Sequence, residues 1–484
     1  MARRGIGASW LVRGAAALSL AVVVAGCNGT NWTMFGFDPT HSGDNSQETV
    51  IGAANAGNLV ERGSTAAVDG PIVSAPTAAN GILYATADLG RKDVGTLYAY
   101  SATGATKCSK VRRKICRPLW SATPAGAHKL LSSPTVDLST GTVYVGSADG
   151  VLYAYNATTG ALEWQSALMG GSVGSSPTVT DEYVYVSIVY GWTFAFPLTN
   201  GYDGWNPSCA TRSNGQRVCR PEWRYSTPGD VYSSPADANG ILYSNVSTPS
   251  NTFYAYDDEL DSHCSGAAFA VPLGATCANP LWTASTDGGK SSPAVANGVV
   301  YIGSITAGLL AFSATGSANC SGVPYTYLQG MSCTPIWTAD TGRQNGSSPA
   351  VAHGIVYIGT RDGHLDAFDA AGGTLLWTAA TGGSIDSAPA IAGGVVYVGC
   401  SNVDESGGQT CGANLYGFGV TTGKPLWSAT TAGSSGTVDQ SPIVVDSAGN
   451  RTAGALFVGS SSGPTECVGT TSSCSGRVVA FTLP

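Results

Sequence analysis

Charge is scarce in this chain. Asp, Glu, Lys and Arg make up 11% of its 484 residues, and the net charge of -8 comes with no basic cluster on an aromatic platform. That argues against nucleic acid as a partner. The basic stretch 107–117 is the local exception, and it reads as a solvated hairpin tip inside a cysteine loop. Histidine is sparse too: His41, His128, His263, His353 and His364 form no i, i+4 pair, so neither a zinc site nor a hydrolytic triad has support. No stretch sustains a 3.6-residue apolar period, and no cysteines stand at CxxC or CxxCH spacing. Two GxSxG matches, 170–174 and 459–463, lie in Gly/Ser-rich loops and lack the strand-to-helix turn a nucleophile needs.

What is present begins with a processing segment. Arg3, Arg4 and Arg13 precede an apolar run, 14–26, that is about half the length a membrane-spanning helix requires. The run ends in Val24-Ala25-Gly26-Cys27, which resembles the lipobox of bacterial lipoproteins. The expectation is a signal peptide over 1–26 and lipidation at Cys27, the alternative being an ordinary secretory signal with a chance cysteine. Setting Cys27 aside leaves 12 cysteines in sequence-local pairs: Cys108 with Cys116, Cys209 with Cys219, Cys264 with Cys277, Cys320 with Cys333, Cys400 with Cys411, and Cys467 with Cys474. Six local disulfides are the simplest solution, and they imply an oxidising, exported location.

The remainder is repetitive. A Ser/Ala-Pro step recurs at Pro76, Pro134, Pro177, Pro235, Pro293, Pro349, Pro389 and Pro442, each followed by a branched strand carrying Tyr or Phe. A third strand follows, as in Leu152-Tyr153-Ala154-Tyr155, and a fourth ends on Trp120, Trp164, Trp223, Trp282, Trp337, Trp377 or Trp427. Eight copies of three elements but seven of the fourth leave one outer strand missing, and Leu59-Val60-Glu61-Arg62 stands where it could supply it. The prediction is an all-β, eight-bladed propeller of four-stranded antiparallel blades over 59–484, closed by that N-terminal strand, with 27–58 as a tether and lead-in. Deleting 28–64 should open the ring, whereas deleting only 28–45 should be much milder.

The blade sentence "VYVGSADGVLYAYNATTGALEW", 143–164, resembles the pyrroloquinoline quinone repeat of quinoprotein alcohol dehydrogenase-like propellers, and "NWTMFGFDPTHSG", 31–43, resembles the start of many such chains. The resemblance runs from Trp32 to the C-terminus and implies the propeller fold. Its members include quinone- and calcium-dependent dehydrogenases, in which a vicinal disulfide commonly lies over the quinone, and cofactor-free outer-membrane assembly lipoproteins. No two cysteines are adjacent here.

Chemistry must be sought where the copies differ. Three residues before each proline the chain reads Val73, Leu131, Gly174, Tyr232, Lys290, Gly346, Asp386 and Asp439. Residues at this step either face the axial funnel or drift at a solvated rim. Tyr232, Lys290, Asp386 and Asp439, with Lys129 at the border beside His128, are the candidate funnel residues. The two aspartates could hold a cation and Lys290 could meet an anion. No catalytic or metal-binding residue is assigned. Three functions follow: a non-catalytic envelope lipoprotein binding protein or glycan through loops and blade edges as a monomer; a pyrroloquinoline quinone- and calcium-dependent alcohol dehydrogenase; or a sensor holding a small ligand in the funnel.

Overall fold

Eight sheets account for the repeats. The computed structural model describes residues 31–484 apart from 89–93, 112, 126–127, 199–208, 248, 259–263, 266–274, 278–279, 323–330, 343–346, 401–410, 412–414, 432–440, 447–453 and 463–474. The innermost strands, Thr77–Ala79, Thr135–Asp137, Thr178–Val179, Ala236–Ala238, Ala294–Ala296, Ala350–Ala352, Ala390–Ala392 and Ile443–Asp446, number the blades 1 to 8 of an eight-bladed propeller. In each blade three further antiparallel strands lead outward. Blade 8 takes its fourth strand from the other end of the chain: Val60–Thr65 pairs with Ser475–Thr482, and Gly63 lies opposite Ala480. The missing eighth tryptophan strand is thus supplied as predicted.

The repeated residues lock the blades face to face. In blade 1, Tyr84, Ala99 and Trp120 lie in one row across three strands, and the small Ala lets the neighbouring blade approach. Both aromatic donors then reach one carbonyl of the next blade. Tyr84 and Trp120 donate to the Ala157 carbonyl at 3.0 and 3.1 Å, and Tyr243 and Trp282 to that of Ala314 at 2.9 and 3.0 Å. Tyr301 and Trp337 share Ala370 at 3.1 Å each, and Tyr357 and Trp377 share Val420 at 3.1 and 3.0 Å. The indole lies against a glycine in the left-handed region, Gly160, Gly316, Gly373 or Gly423, where a Cβ would come within 2.7 Å of the ring.

Between blades 3 and 4 the seam is built differently. Asp237 is buried and faces Asp258; burial, then the like charge, push the Asp237 carboxyl well above the usual carboxylate range. A carboxyl raised in the fold keeps a proton that the unfolded chain releases above about pH 4, so its contribution to stability is lost as pH rises from there through neutrality. Asp237→Asn is expected to flatten that slope and to raise the melting temperature at pH 8 by about 2 °C or more, read by calorimetry across pH.

Disulfides join Cys108 to Cys116, Cys209 to Cys219, Cys320 to Cys333 and Cys400 to Cys411. Cys264 and Cys277 stand opposite each other in a backbone hairpin, while Cys27, Cys467 and Cys474 lie outside the described residues. Four of these cysteine hairpins reach back to the preceding blade and extend its outer edge in parallel. Arg217–Cys219, inserted in blade 3, pairs with the outer strand of blade 2; Ala275–Cys277 pairs with blade 3; and Met331–Cys333 pairs with blade 4. Lys114–Cys116, from blade 1, pairs with Val60–Thr65 of blade 8. Part of the basic stretch, Lys114–Cys116, is therefore a fifth strand, while Lys107, Lys110, Arg113 and Arg117 stay exposed as expected of a solvated hairpin. Each hairpin covers backbone that an edge strand would otherwise expose. Replacing Cys320 and Cys333, 13 residues apart, with Ser is expected to cost about 2–3 kcal/mol while leaving the ring closed, which denaturant titration would measure.

The lead-in segment departs most from expectation, because it runs across the inner strands instead of tethering the ring. Trp32 exchanges backbone hydrogen bonds with Ala78 of blade 1, and Val136 of blade 2 donates to the Thr33 carbonyl. The amides of Asp237, Val295, Val351 and Ile391, from blades 4 to 7, donate to the carbonyls of Pro39, Thr40, Ser42 and Gly43. Asp44–Asn45 adds a parallel strand to blade 7, and Asn45 Nδ2 reaches the Val444 carbonyl of blade 8 at 2.8 Å. His41 completes the set through Thr178 of blade 3 and the Pro293 carbonyl of blade 5. All eight blades are touched by residues 32–45. Burial pulls the His41 imidazole down to about 4.

Candidate functional site: the axial funnel

The two residues before each proline do separate jobs that one sequence pattern conceals. The first serine ties its own blade: Ser132 Oγ accepts from Gly146 N at 2.7 Å, Ser175 Oγ from Ser187 N at 2.8 Å, and Ser387 Oγ from Gly399 N at 2.9 Å. The second ties the blade to its neighbour. Ser133, Ser176, Ser234, Ser292, Ser348 and Ser441 each accept the backbone N–H of the corresponding residue one blade back, over 2.8 to 3.1 Å. Ala75 and Ala388 take the equivalent place in blades 1 and 7, so the ring of ties is interrupted twice. Proline fits the next position because it needs no donor there.

The second serines, Ser133, Ser176, Ser234, Ser292, Ser348 and Ser441, form the wall of a cavity of about 190 Å³, and Phe35 of the lead-in segment also lines it. Tyr232, Lys290 and Asp386 line the same cavity, so three of the sequence-predicted funnel residues are brought together. Lys290 Nζ sits 5.1 Å from the Tyr232 ring centroid, a cation–π arrangement. Asp386 is 3.1 Å from Arg361 Nε and accepts from Ser384 at 3.0 Å, so its charge is met within the protein. Lys129 does not line this cavity; its ammonium is 3.1 Å from Asp88. Asp439 lies outside the described residues. What sequence reasoning missed is Phe35, together with the serine hydroxyls that make the wall.

The described residues do not fit pyrroloquinoline quinone with calcium. The cavity, about 190 Å³, is smaller than the roughly 300 Å³ at which small-molecule pockets usually begin. Its polar wall is already bonded between blades, and its one carboxylate faces an arginine. Among the described residues no group of three His, Cys, Asp or Glu could hold a metal ion.

Comparison with known proteins gives three results. A family model described as PQQ_2, outer membrane protein assembly factor BamB, matches residues 63–259 and 327–482, well over half of the chain. Tetrathionate hydrolase of Acidithiobacillus ferrooxidans is 26% identical over 269 residues, 45% of this chain and 52% of that enzyme, so the chain spans about half the length of the curated relative it matches. Among solved structures, BamB from Moraxella catarrhalis has a TM-score of 0.55 at 14% identity over 87% of this chain and 99% of that one. Quinohemoprotein alcohol dehydrogenase ADHIIG from Pseudomonas putida HK5 has a TM-score of 0.62 at 14% identity over 94% and 80%. At such identities the structural likenesses carry the fold.

Proposed function

This chain belongs to the PQQ_2 family, described as outer membrane protein assembly factor BamB, and on that footing we propose that it is a non-catalytic binding or scaffold propeller of the bacterial cell envelope, exported and lipid-anchored at Cys27. The observation that carries the reading is the filled axis. Residues 32–45 bond to all eight blades across their inner strands, and a cup of about 190 Å³ remains, lined in part by Phe35 of this segment. The disulfides support an oxidising compartment. Binding then falls to the blade rims, where protein or glycan can be met by loops and by outer strands such as Leu375–Ala380, with Leu375 and Leu376 exposed.

A second reading, hydrolysis of tetrathionate, is favoured by the match to tetrathionate hydrolase and by the Lys290 ammonium in the funnel, which suits a small anion. One assay separates the readings. Purified protein is supplied with pyrroloquinoline quinone, calcium, an alcohol and a dye acceptor, and in parallel with tetrathionate. No turnover above the blank is expected in either. Turnover that disappears in Lys290→Ala or Asp386→Asn would overturn the scaffold reading.

A further inference from the structure

The seam between blade 8 and blade 1 has neither of the two donors that close the four seams described above. At the tyrosine position stands Phe457, and at the tryptophan position stands Gly63, each in register with Ala480. The carbonyl they would serve belongs to Ala102, whose own N–H bonds to Gly81 as that of Ala314 bonds to Gly298. Among the described residues no donor reaches the Ala102 carbonyl. In place of an indole against the glycine two positions on, Gly104 meets the Lys114 side chain, whose ammonium is 3.1 Å from the Gly104 carbonyl. A Cβ on Gly63 would stand 2.7 Å from the Lys114 carbonyl, so a side chain here would have to shift the fifth strand, which in blades 3 and 4 runs beside Trp223 and Trp282.

The result is a cavity of about 560 Å³, well within the range of small-molecule sites. Leu83, Phe457, Val478 and Ala480 give it apolar walls, and the hairpin closed by Cys108–Cys116 borders it. Tyr100 and Thr65 line it, and the hydroxyl of the fully buried Tyr100 makes no hydrogen bond of normal geometry. Arg62 and Lys110 line it as well, and among the described residues no carboxylate lies within ion-pair distance of either; the nearby Glu61 is held by Arg113 at 2.9 Å. In a chain of net charge -8, this is a locally cationic mouth over an apolar chamber.

We propose that this seam cavity binds a planar aromatic anion with a ring N–H or hydroxyl donor, an indole carboxylate by class. The ring takes the volume an indole fills in the other seams, its donor meets the Ala102 carbonyl, and its carboxylate faces Arg62 and Lys110. The site is independent of the axial funnel, so it stands whether or not the scaffold reading does.

Indole-3-acetate is the probe, followed by titration calorimetry on the full-length mature protein. Saturable one-to-one binding is expected, weakened about tenfold for 1-naphthaleneacetate, which lacks the N–H, and for 3-methylindole, which lacks the carboxylate. Phe457→Tyr, which restores the residue type of the other seven blades, should occupy the Ala102 carbonyl and weaken binding about tenfold or more. Arg62→Gln with Lys110→Gln, the first half-buried and the second exposed, should do the same and reduce the salt dependence. Absence of saturable binding up to the solubility limit would overturn the proposal. So would affinity unchanged in both variants, because the ligand would then sit elsewhere.

Discussion

Deleting residues 31–45 is expected to abolish cooperative unfolding, or to lower the melting temperature by about 10 °C or more. The segment satisfies six inner-strand amides, those of Ala78, Val136, Asp237, Val295, Val351 and Ile391. An orphaned buried backbone donor costs about 1–3 kcal/mol, and a folded domain has only about 5–15 kcal/mol in hand. Water entering the emptied axis would meet part of that demand, but it would not replace the buried Trp32, Met34 and His41 side chains. Acid should act in the same direction. His41 is held neutral down to about pH 4 in the fold, whereas the unfolded chain protonates it below about 6.5, so stability falls as pH drops through that interval. Calorimetry of the truncated and parent proteins checks the first expectation. The second is read from the acid limb of the parent against His41→Asn. Equal melting of parent and truncated chain would show that the segment is a tether after all.

Trp282→Ala is expected to cost about 3–5 kcal/mol, the largest effect of any single substitution considered. The side chain is fully buried, with its ring centroid 5.6 Å from Phe253 and 5.8 Å from Phe312, and it donates to the Ala314 carbonyl at 3.0 Å. Trp282→Phe keeps most of the ring contacts, and Tyr243 still serves the carbonyl, so it should cost less than half as much. Denaturant unfolding of the two variants beside the parent gives both values. An alanine variant within about 1 kcal/mol of the parent would mean that the seam does not hold the blades.

The propeller was legible because its chemistry is written eight times. Tyr, Ala and Trp recur in a fixed order across loops of different length, and the absence of an eighth tryptophan strand pointed to Leu59-Val60-Glu61-Arg62, which overlaps the observed strand Val60–Thr65. The lead-in segment was not legible. Its work is done by the backbone of 32–45 accepting from strands far along the chain, and carbonyl positions leave no mark on residue type. The parallel addition of each cysteine hairpin to the preceding blade was hidden in the same way, since cysteine spacing reveals the hairpin and not its neighbour. For the funnel, variation before each proline identified Tyr232, Lys290 and Asp386. It also drew in Lys129, which is spent on Asp88. The seam cavity did leave a signal: Gly63 and Phe457 are the members of the eighth copy that break the Tyr and Trp columns.

The most direct measurement of the central claim, that the axis is filled by the chain itself and holds no quinone, is equilibrium dialysis of the folded protein against pyrroloquinoline quinone and calcium. The bound quinone is read by its absorbance. Retention no higher than that of an unrelated protein of similar charge is predicted. Stoichiometric retention that is lost in Lys290→Ala and Asp386→Asn would contradict the claim.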